Sequence, residues 1–129
     1  MAKTILVVDD DDGVREELAE LIELPGRIIV IAKNSEEALR LIDGGLKPHL
    51  IISDLNMPPY MDGFTMFMMI RRLRQFPFSF VLMSARDDLD GVSLEELARR
   101  FSFEFVNKSN LRGPVILPMI VRLLESLEV

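Results

Sequence analysis

Leu50-Ile51-Ile52-Ser53-Asp54-Leu55-Asn56-Met57-Pro58 is the stretch that decides how the chain is read. Leu50 to Ser53 is a short run of apolar and small residues with no charged position. Such a run suits a strand buried on both faces, as in a parallel sheet. It runs into a lone carboxylate, Asp54, and then breaks at Met57-Pro58-Pro59, opening a loop that reaches Asp62-Gly63. Working outward, four more runs share this character. Ile5 to Val8 ends in Asp9 and Asp10, and Ile28 to Ile31 follows a Pro25-Gly26 break. Phe78 to Met83 ends at Ser84, and Phe103 to Val106 is followed by Asn107 and Lys108.

Between these runs the period changes to that of a helix. Val14, Leu18, Leu21 and Ile22 share one helical face, with Arg15, Glu16, Glu17 and Glu20 largely off it. Asn34 with Glu37 three residues on has capping-box spacing, Ala38, Leu39 and Ile42 form the next stripe, and Gly44-Gly45 stop it. From about Phe64 to Arg74 apolar residues cover more than one face, which fits flexible core filler or a partner-binding surface. Arg86 to Gly91 reads as a mobile polar loop. Ser93 and Glu96 make a second capping box, opening a helix lined by Leu94, Leu97, Ala98 and Phe101. The last helix is expected to turn Val115, Ile116, Met119, Ile120, Leu123, Leu124 and Leu127 inward. Pro118 then requires either a helix start near Leu117 or a kink. Strand–helix alternation with short connections predicts an α/β fold: five strands in a parallel sheet, right-handed crossovers and five helices covering both faces. The length fits a single domain over residues 1–129.

The formal net charge of −6 offers no basic stripe, which argues against direct nucleic-acid binding. Part of that charge is local, since Asp9 to Asp12 is a run of four carboxylates. With no cysteine, disulfides, thiolate chemistry and cysteine zinc sites are excluded, and a reducing compartment fits. No run approaches a signal-peptide core or a membrane span, so the expected location is cytoplasmic, with no membrane contact.

In open parallel sheets ligands bind beyond the carboxyl ends of the strands. Asp9, Asp10, Asp54, Ser84 and Lys108 all follow such ends, so they should meet at one edge. Clustered carboxylates hold protons too tightly unless a cation neutralises them. Mg2+ suits that role, as a hard ion held by few carboxylates with water and phosphate oxygens completing its shell. A carboxylate can attack phosphorus itself. Lys108 and the metal would then stabilise the transferring group, and the Ser84 hydroxyl could donate to one of its oxygens.

On the motifs Ile5-Leu6-Val7-Val8-Asp9-Asp10, Ser53-Asp54-Leu55-Asn56-Met57-Pro58 with Asp62-Gly63, Met83-Ser84-Ala85 and Phe105-Val106-Asn107-Lys108, the chain resembles a receiver domain of two-component response regulators along its whole length. The resemblance is to the chemotaxis type. It implies a flavodoxin-like doubly wound sheet of order 2-1-3-4-5. It also implies Asp54 as phosphoacceptor, Asp10 as a direct and Asp9 as a water-mediated Mg2+ ligand, and Asn56 as a ligand through its backbone carbonyl. Lys108 would pair with the phosphate, while Ser84 and Phe105 would move as a switch that remodels the face of the fourth helix, fifth strand and fifth helix. Implied partners are a sensor histidine kinase or phosphotransfer protein and a downstream output protein or domain, with a homodimer as an option. The chain would be no enzyme beyond catalysing its own phosphorylation and dephosphorylation. Three features depart from the family pattern: one extra residue before Asp62-Gly63, Ser109 where proline is usual, and Phe105 where tyrosine is commoner. A trans peptide is expected before Ser109, since cis there costs several kcal/mol. Two rival functions use the same residues: a receiver-like module that binds partners without phosphorylation, and a haloacid-dehalogenase-like phosphatase built on Asp9 and Asp11.

Overall fold

A computed structural model of the chain describes residues 2–74, 76–111 and 113–126. Strands β1 (Lys3–Val8), β2 (Arg27–Ala32), β3 (Leu50–Asp54), β4 (Ser79–Ser84) and β7 (Glu104–Asn107) form one parallel sheet in the order β2-β1-β3-β4-β7. β5 (Asp88–Leu89) and β6 (Val92–Ser93) are a separate antiparallel pair, so β7 is the fifth strand of the main sheet and the expected flavodoxin-like order holds. Helices α1 (Asp12–Ile22), α2 (Ser35–Asp43), α3 (Gly63–Leu73), α4 (Leu94–Phe101) and α5 (Gly113–Glu125) complete the fold.

The continuous apolar strands serve two cores at once. In β1, Ile5 and Val7 join Leu18 and Ile22 of α1 and Ile116, Ile120 and Leu124 of α5 on one face of the sheet. Leu6 and Val8 face the other way, into a core with Ala38 and Ile42 of α2, Met66, Phe67 and Ile70 of α3, and Leu94 and Leu97 of α4. All four β1 residues are fully buried, and each such side chain contributes roughly 1.5–3 kcal/mol by leaving water. This double demand explains why these strands show no polar alternation.

Caps fix where the helices start. The side chains of Asp11, Asn34, Asp62 and Ser93 each accept a hydrogen bond from the backbone N–H three residues on. Asp62 also accepts from Thr65 Oγ1. Behind it, Gly63 has a steric role. A Cβ at this position would lie 2.2 Å from the carbonyl oxygen of Asp54 and 2.9 Å from Ser53 Oγ. Only glycine allows α3 to press so closely on the end of β3, and its N–H donates to Leu55 O at 2.9 Å.

Several local expectations need correction. Residues 88–93 form a hairpin instead of a mobile loop, because Asp90 and Gly91 both take positive φ (51° and 82°), the conformation that two-residue hairpin turns require. Arg15 is buried although its position in the helical pattern puts it off the apolar face. Helix α5 starts at Gly113, which places Pro118 in the second turn and not in the first, with its ring on an exposed face. Val115 is 45% exposed and leaves the expected inward stripe, whereas Ile116, Ile120 and Leu124 are buried and Met119 and Leu123, half-buried, pack against the same core. Leu127 lies outside the described residues.

The Gly63 contact generates a sharp expectation. Gly63→Ala should destabilise the protein by roughly 2–3 kcal/mol, because backbone must move to admit the methyl group. Gly113→Ala, whose Cβ would meet only side-chain carbons at 3.5 Å and beyond, should be neutral or slightly stabilising. Urea denaturation of both variants checks the contrast.

Candidate functional site

The carboxyl ends of β1, β3 and β7 bring the predicted groups together. Asp54 is the last residue of β3 and is 5% exposed. Asp9 follows β1 and is fully buried, while Asp10, next along, is exposed. One oxygen from each of these three carboxylates lies within 4.8 Å of the others. Lys108 reaches the cluster from the turn after β7, with its Nζ 3.1 Å from Asp54 Oδ1 and 3.4 Å from Asp9 Oδ2.

A short set of contacts presents Asp9 to the site. Its N–H donates to Ala32 O at 3.2 Å, and its Oδ1 accepts from the Asp11 N–H at 2.9 Å. Its carbonyl oxygen accepts from Arg15 Nη1 at 2.8 Å. The remaining oxygen, Oδ2, is buried and accepts no hydrogen bond, so the 3.4 Å approach of Lys108 is an ion pair without hydrogen-bond geometry. A buried carboxylate oxygen that accepts no hydrogen bond and has one ammonium at ion-pair distance is under-satisfied, and a further cation can supply what Lys108 does not.

Electrostatics agree with that reading. Burial pushes the Asp54 carboxyl up to about 6, Asp9 beside it pushes in the same direction, and Lys108 opposes both without prevailing. Burial also holds Asp9 above the usual carboxylate range, against the hydrogen bond from Asp11 and the charge of Lys108. Burial alone would lower Lys108, but the charges of Asp54 and Asp9 outweigh it and raise the ammonium further. When all are ionised, three carboxylates against one ammonium leave a formal charge of −2. Three hard oxygen donors with that deficit can hold a divalent cation of the oxygen-ligated class.

The remaining predicted residues sit around this centre. Ser84 ends β4, is fully buried, and its Oγ accepts from the Arg86 N–H at 3.0 Å. Asn56 is exposed two residues past Asp54 and lines a cleft with Leu55, Arg86 and the β5–β6 hairpin. Phe105 lies half-buried on β7, packed against the α2–α3–α4 core. The Lys108–Ser109 peptide is trans; among the described residues the cis peptide is Pro58–Pro59.

Two contributors escape a reading of the sequence. Asn107 holds the turn that carries Lys108: its Oδ1 accepts from Ser109 N at 2.9 Å and Ser109 Oγ at 2.8 Å, and its Nδ2 donates to Asp87 Oδ1 at 2.9 Å. Ser109 therefore uses an N–H that a proline would lack. Arg15 is the other, and its signal was present only as a cation following an acid run.

Residues 5–110 match the family described as response regulator receiver domain. An uncharacterised 14.6 kDa protein of Leptolyngbya boryana is 45% identical over 73 residues, covering 57% of this chain and 52% of that protein. The transcriptional regulatory protein AfsQ1 of Streptomyces coelicolor is 36% identical over 90 residues, covering 69% of this chain and 38% of the regulator. The chain thus spans about half or less of the length of these curated relatives. Among solved structures, a receiver domain of Methanospirillum hungatei superposes with a TM-score of 0.83 at 21% identity, covering 99% of this chain and 98% of that one, a likeness of fold. The response regulator TrrA of Thermotoga maritima, solved with Mg2+ and BeF, gives a TM-score of 0.76 at 29% identity over 94% of this chain and 98% of that one. With its order of strands and an acid cluster at the carboxyl edge of the sheet, the chain belongs to the response regulator receiver domain family.

Proposed function

We propose that this receiver accepts a phosphoryl group on Asp54 from a sensor histidine kinase or phosphotransfer protein. The observation that carries the reading is the convergence of Asp54 with Asp9, Asp10 and Lys108 on one point at the sheet edge. Asp9, Asp10 and Asp54, with the backbone carbonyl of Asn56, would hold Mg2+, and the buried Asp9 Oδ2, which accepts no hydrogen bond and has only the Lys108 ion pair, fits that ion. Bound there, the ion supplies charge neutralisation for the carboxylates and the transferring group.

The protein's own groups account for the rest. Asp54, ionised once its neighbours are neutralised, attacks phosphorus. The new O–P bond forms as the bond from phosphorus to the donor nitrogen breaks, and the electron pair returns to that imidazole. Lys108, already within ion-pair distance of Asp54, neutralises charge on the transferred oxygens. Ser84 exchanges its acceptance of the Arg86 N–H for donation to a phosphoryl oxygen. Phe105, which has no hydroxyl to anchor it, follows through packing alone, and the α4–β7–α5 face shifts for an output protein or domain to read. On this reading the chain works in the cytoplasm as a phosphoacceptor and turns over no separate substrate. Asp11 caps α1 through one oxygen and is not among the three clustered carboxylates, which weighs against a phosphatase built on Asp9 and Asp11.

Incubation with acetyl phosphate and Mg2+ should add one phosphoryl group to the wild type and none to Asp54→Asn, as read by intact-mass spectrometry. Absence of an adduct on the wild type favours a module that binds partners without phosphorylation. Turnover of phosphomonoesters abolished by Asp9→Asn favours the phosphatase.

The raised Asp54 pKa carries a stability signature. Because the folded protein holds this proton more tightly than the unfolded chain, stability falls as pH rises from about 4 through about 6. The cost stays fully present above that window. In metal-free buffer Asp54→Asn should therefore be more stable than wild type at pH 7.5, by on the order of 2 kcal/mol, and the gain should vanish near pH 4. Urea denaturation at both pH values checks this, and a variant less stable than wild type at pH 7.5 contradicts it.

A further inference from the structure

Arg15 is a buried cation beside the acid cluster that the proposed chemistry does not use. It is an arginine at 8% exposure. Its Nη1 donates to the buried carbonyl oxygen of Asp9 at 2.8 Å, and its Nη2 pairs with the carboxylate of Asp12. The second partner is an exposed residue of the first helical turn, so the guanidinium joins the start of α1 to the last peptide before Asp10.

The consequence lies in how differently Asp9 and Asp10 are held. Every polar atom of Asp9 except Oδ2 has a hydrogen-bond partner. Asp10 has neither a hydrogen bond nor an ion pair among the described residues, yet its carboxylate lies in the cluster. Its placement rests on the backbone that carries it, and the Asp9–Asp10 peptide is fixed through the Asp9 carbonyl oxygen. Without a donor from Arg15 that buried oxygen would have to find another, and rotation of the peptide toward one would swing Asp10 out of the cluster.

We propose that Arg15 is a positioning residue for the cation site, clamping the Asp9–Asp10 peptide so that the carboxylate of Asp10 stays within reach of the ion held by Asp9 and Asp54. This rests on the reading of the cluster as a divalent-cation site. Charge and geometry make opposite predictions here, which makes the idea testable. Removal of a positive charge close to a cation site tightens binding if only electrostatics act. Loss of a group that orients the ligands loosens it, typically by tenfold or more.

Isothermal titration of the full chain with Mg2+ discriminates between them. Arg15→Met should bind Mg2+ about tenfold more weakly than wild type. Arg15→Lys, which keeps the charge and loses the two-armed geometry, should fall between the two. Arg40→Ala, which removes an exposed arginine paired with Glu36 on α2, should match wild type. Far-UV circular dichroism establishes which variants fold. If Arg15→Met does not, Arg15→Lys decides alone. Unchanged or tighter binding in a folded Arg15 variant, with wild type binding normally, overturns the role of Arg15. A wild type that binds no Mg2+ overturns instead the cation-site reading on which it stands.

Discussion

Everything at the carboxyl edge of this sheet answers to one constraint, the burial of Asp9 and Asp54 against a single ammonium. Two carboxylates taken almost wholly out of water, with a third at the surface beside them, cannot all be satisfied by Lys108. The fold tolerates this because the strands that deliver the acids are buried on both faces and have little freedom to retreat. The local cost shows as raised carboxyl pKa values and as an Asp9 oxygen with an ion pair but no hydrogen bond, and on the proposed function a bound cation would relieve it.

Support for the cluster extends into the helices. Gly63 allows α3 to rest on the carbonyl of Asp54, Asn107 shapes the turn that carries Lys108, and Arg15 ties the start of α1 to the carbonyl of Asp9. The run Asp9 to Asp12 thus divides its labour. Asp9 and Asp10 face the site, Asp11 caps α1, and Asp12 pairs with Arg15. Four like residues in a row hold three kinds of structural position. Their spacing along the strand-to-helix turn, and not their chemistry, separates them.

The strands, their parallel order and the meeting of Asp9, Asp10, Asp54 and Lys108 were legible because each rests on a local pattern read against a strong topological rule. What escaped depends on contacts between distant or unlike groups. Arg15 sits off the apolar stripe of α1, and periodicity treats a cation there as solvent-facing; burial follows only from a backbone carbonyl that needs a donor. Asn107 looks like a strand-end residue until Ser109 and Asp87 are seen to share it. The hairpin at Asp88–Ser93 carries a strong two-residue turn signal in Asp90-Gly91, which the charged residues around it mask by giving the stretch the look of a solvated loop. Pro118 shows the limit of a propensity rule, since α5 runs from Gly113 through it and packs Ile116, Ile120 and Leu124 into the core, where a helix start near Leu117 was one of two expectations.

On the proposed function, the acid cluster and Lys108 form one site that takes a divalent cation and a phosphoryl group together. Calorimetric titration with beryllofluoride, a mimic of an acyl phosphate, tests it most directly. One equivalent should bind in the presence of Mg2+, and binding should vanish when the metal is chelated or Asp54 is replaced by asparagine. Binding that persists without Mg2+, or that survives Asp54→Asn, would contradict it.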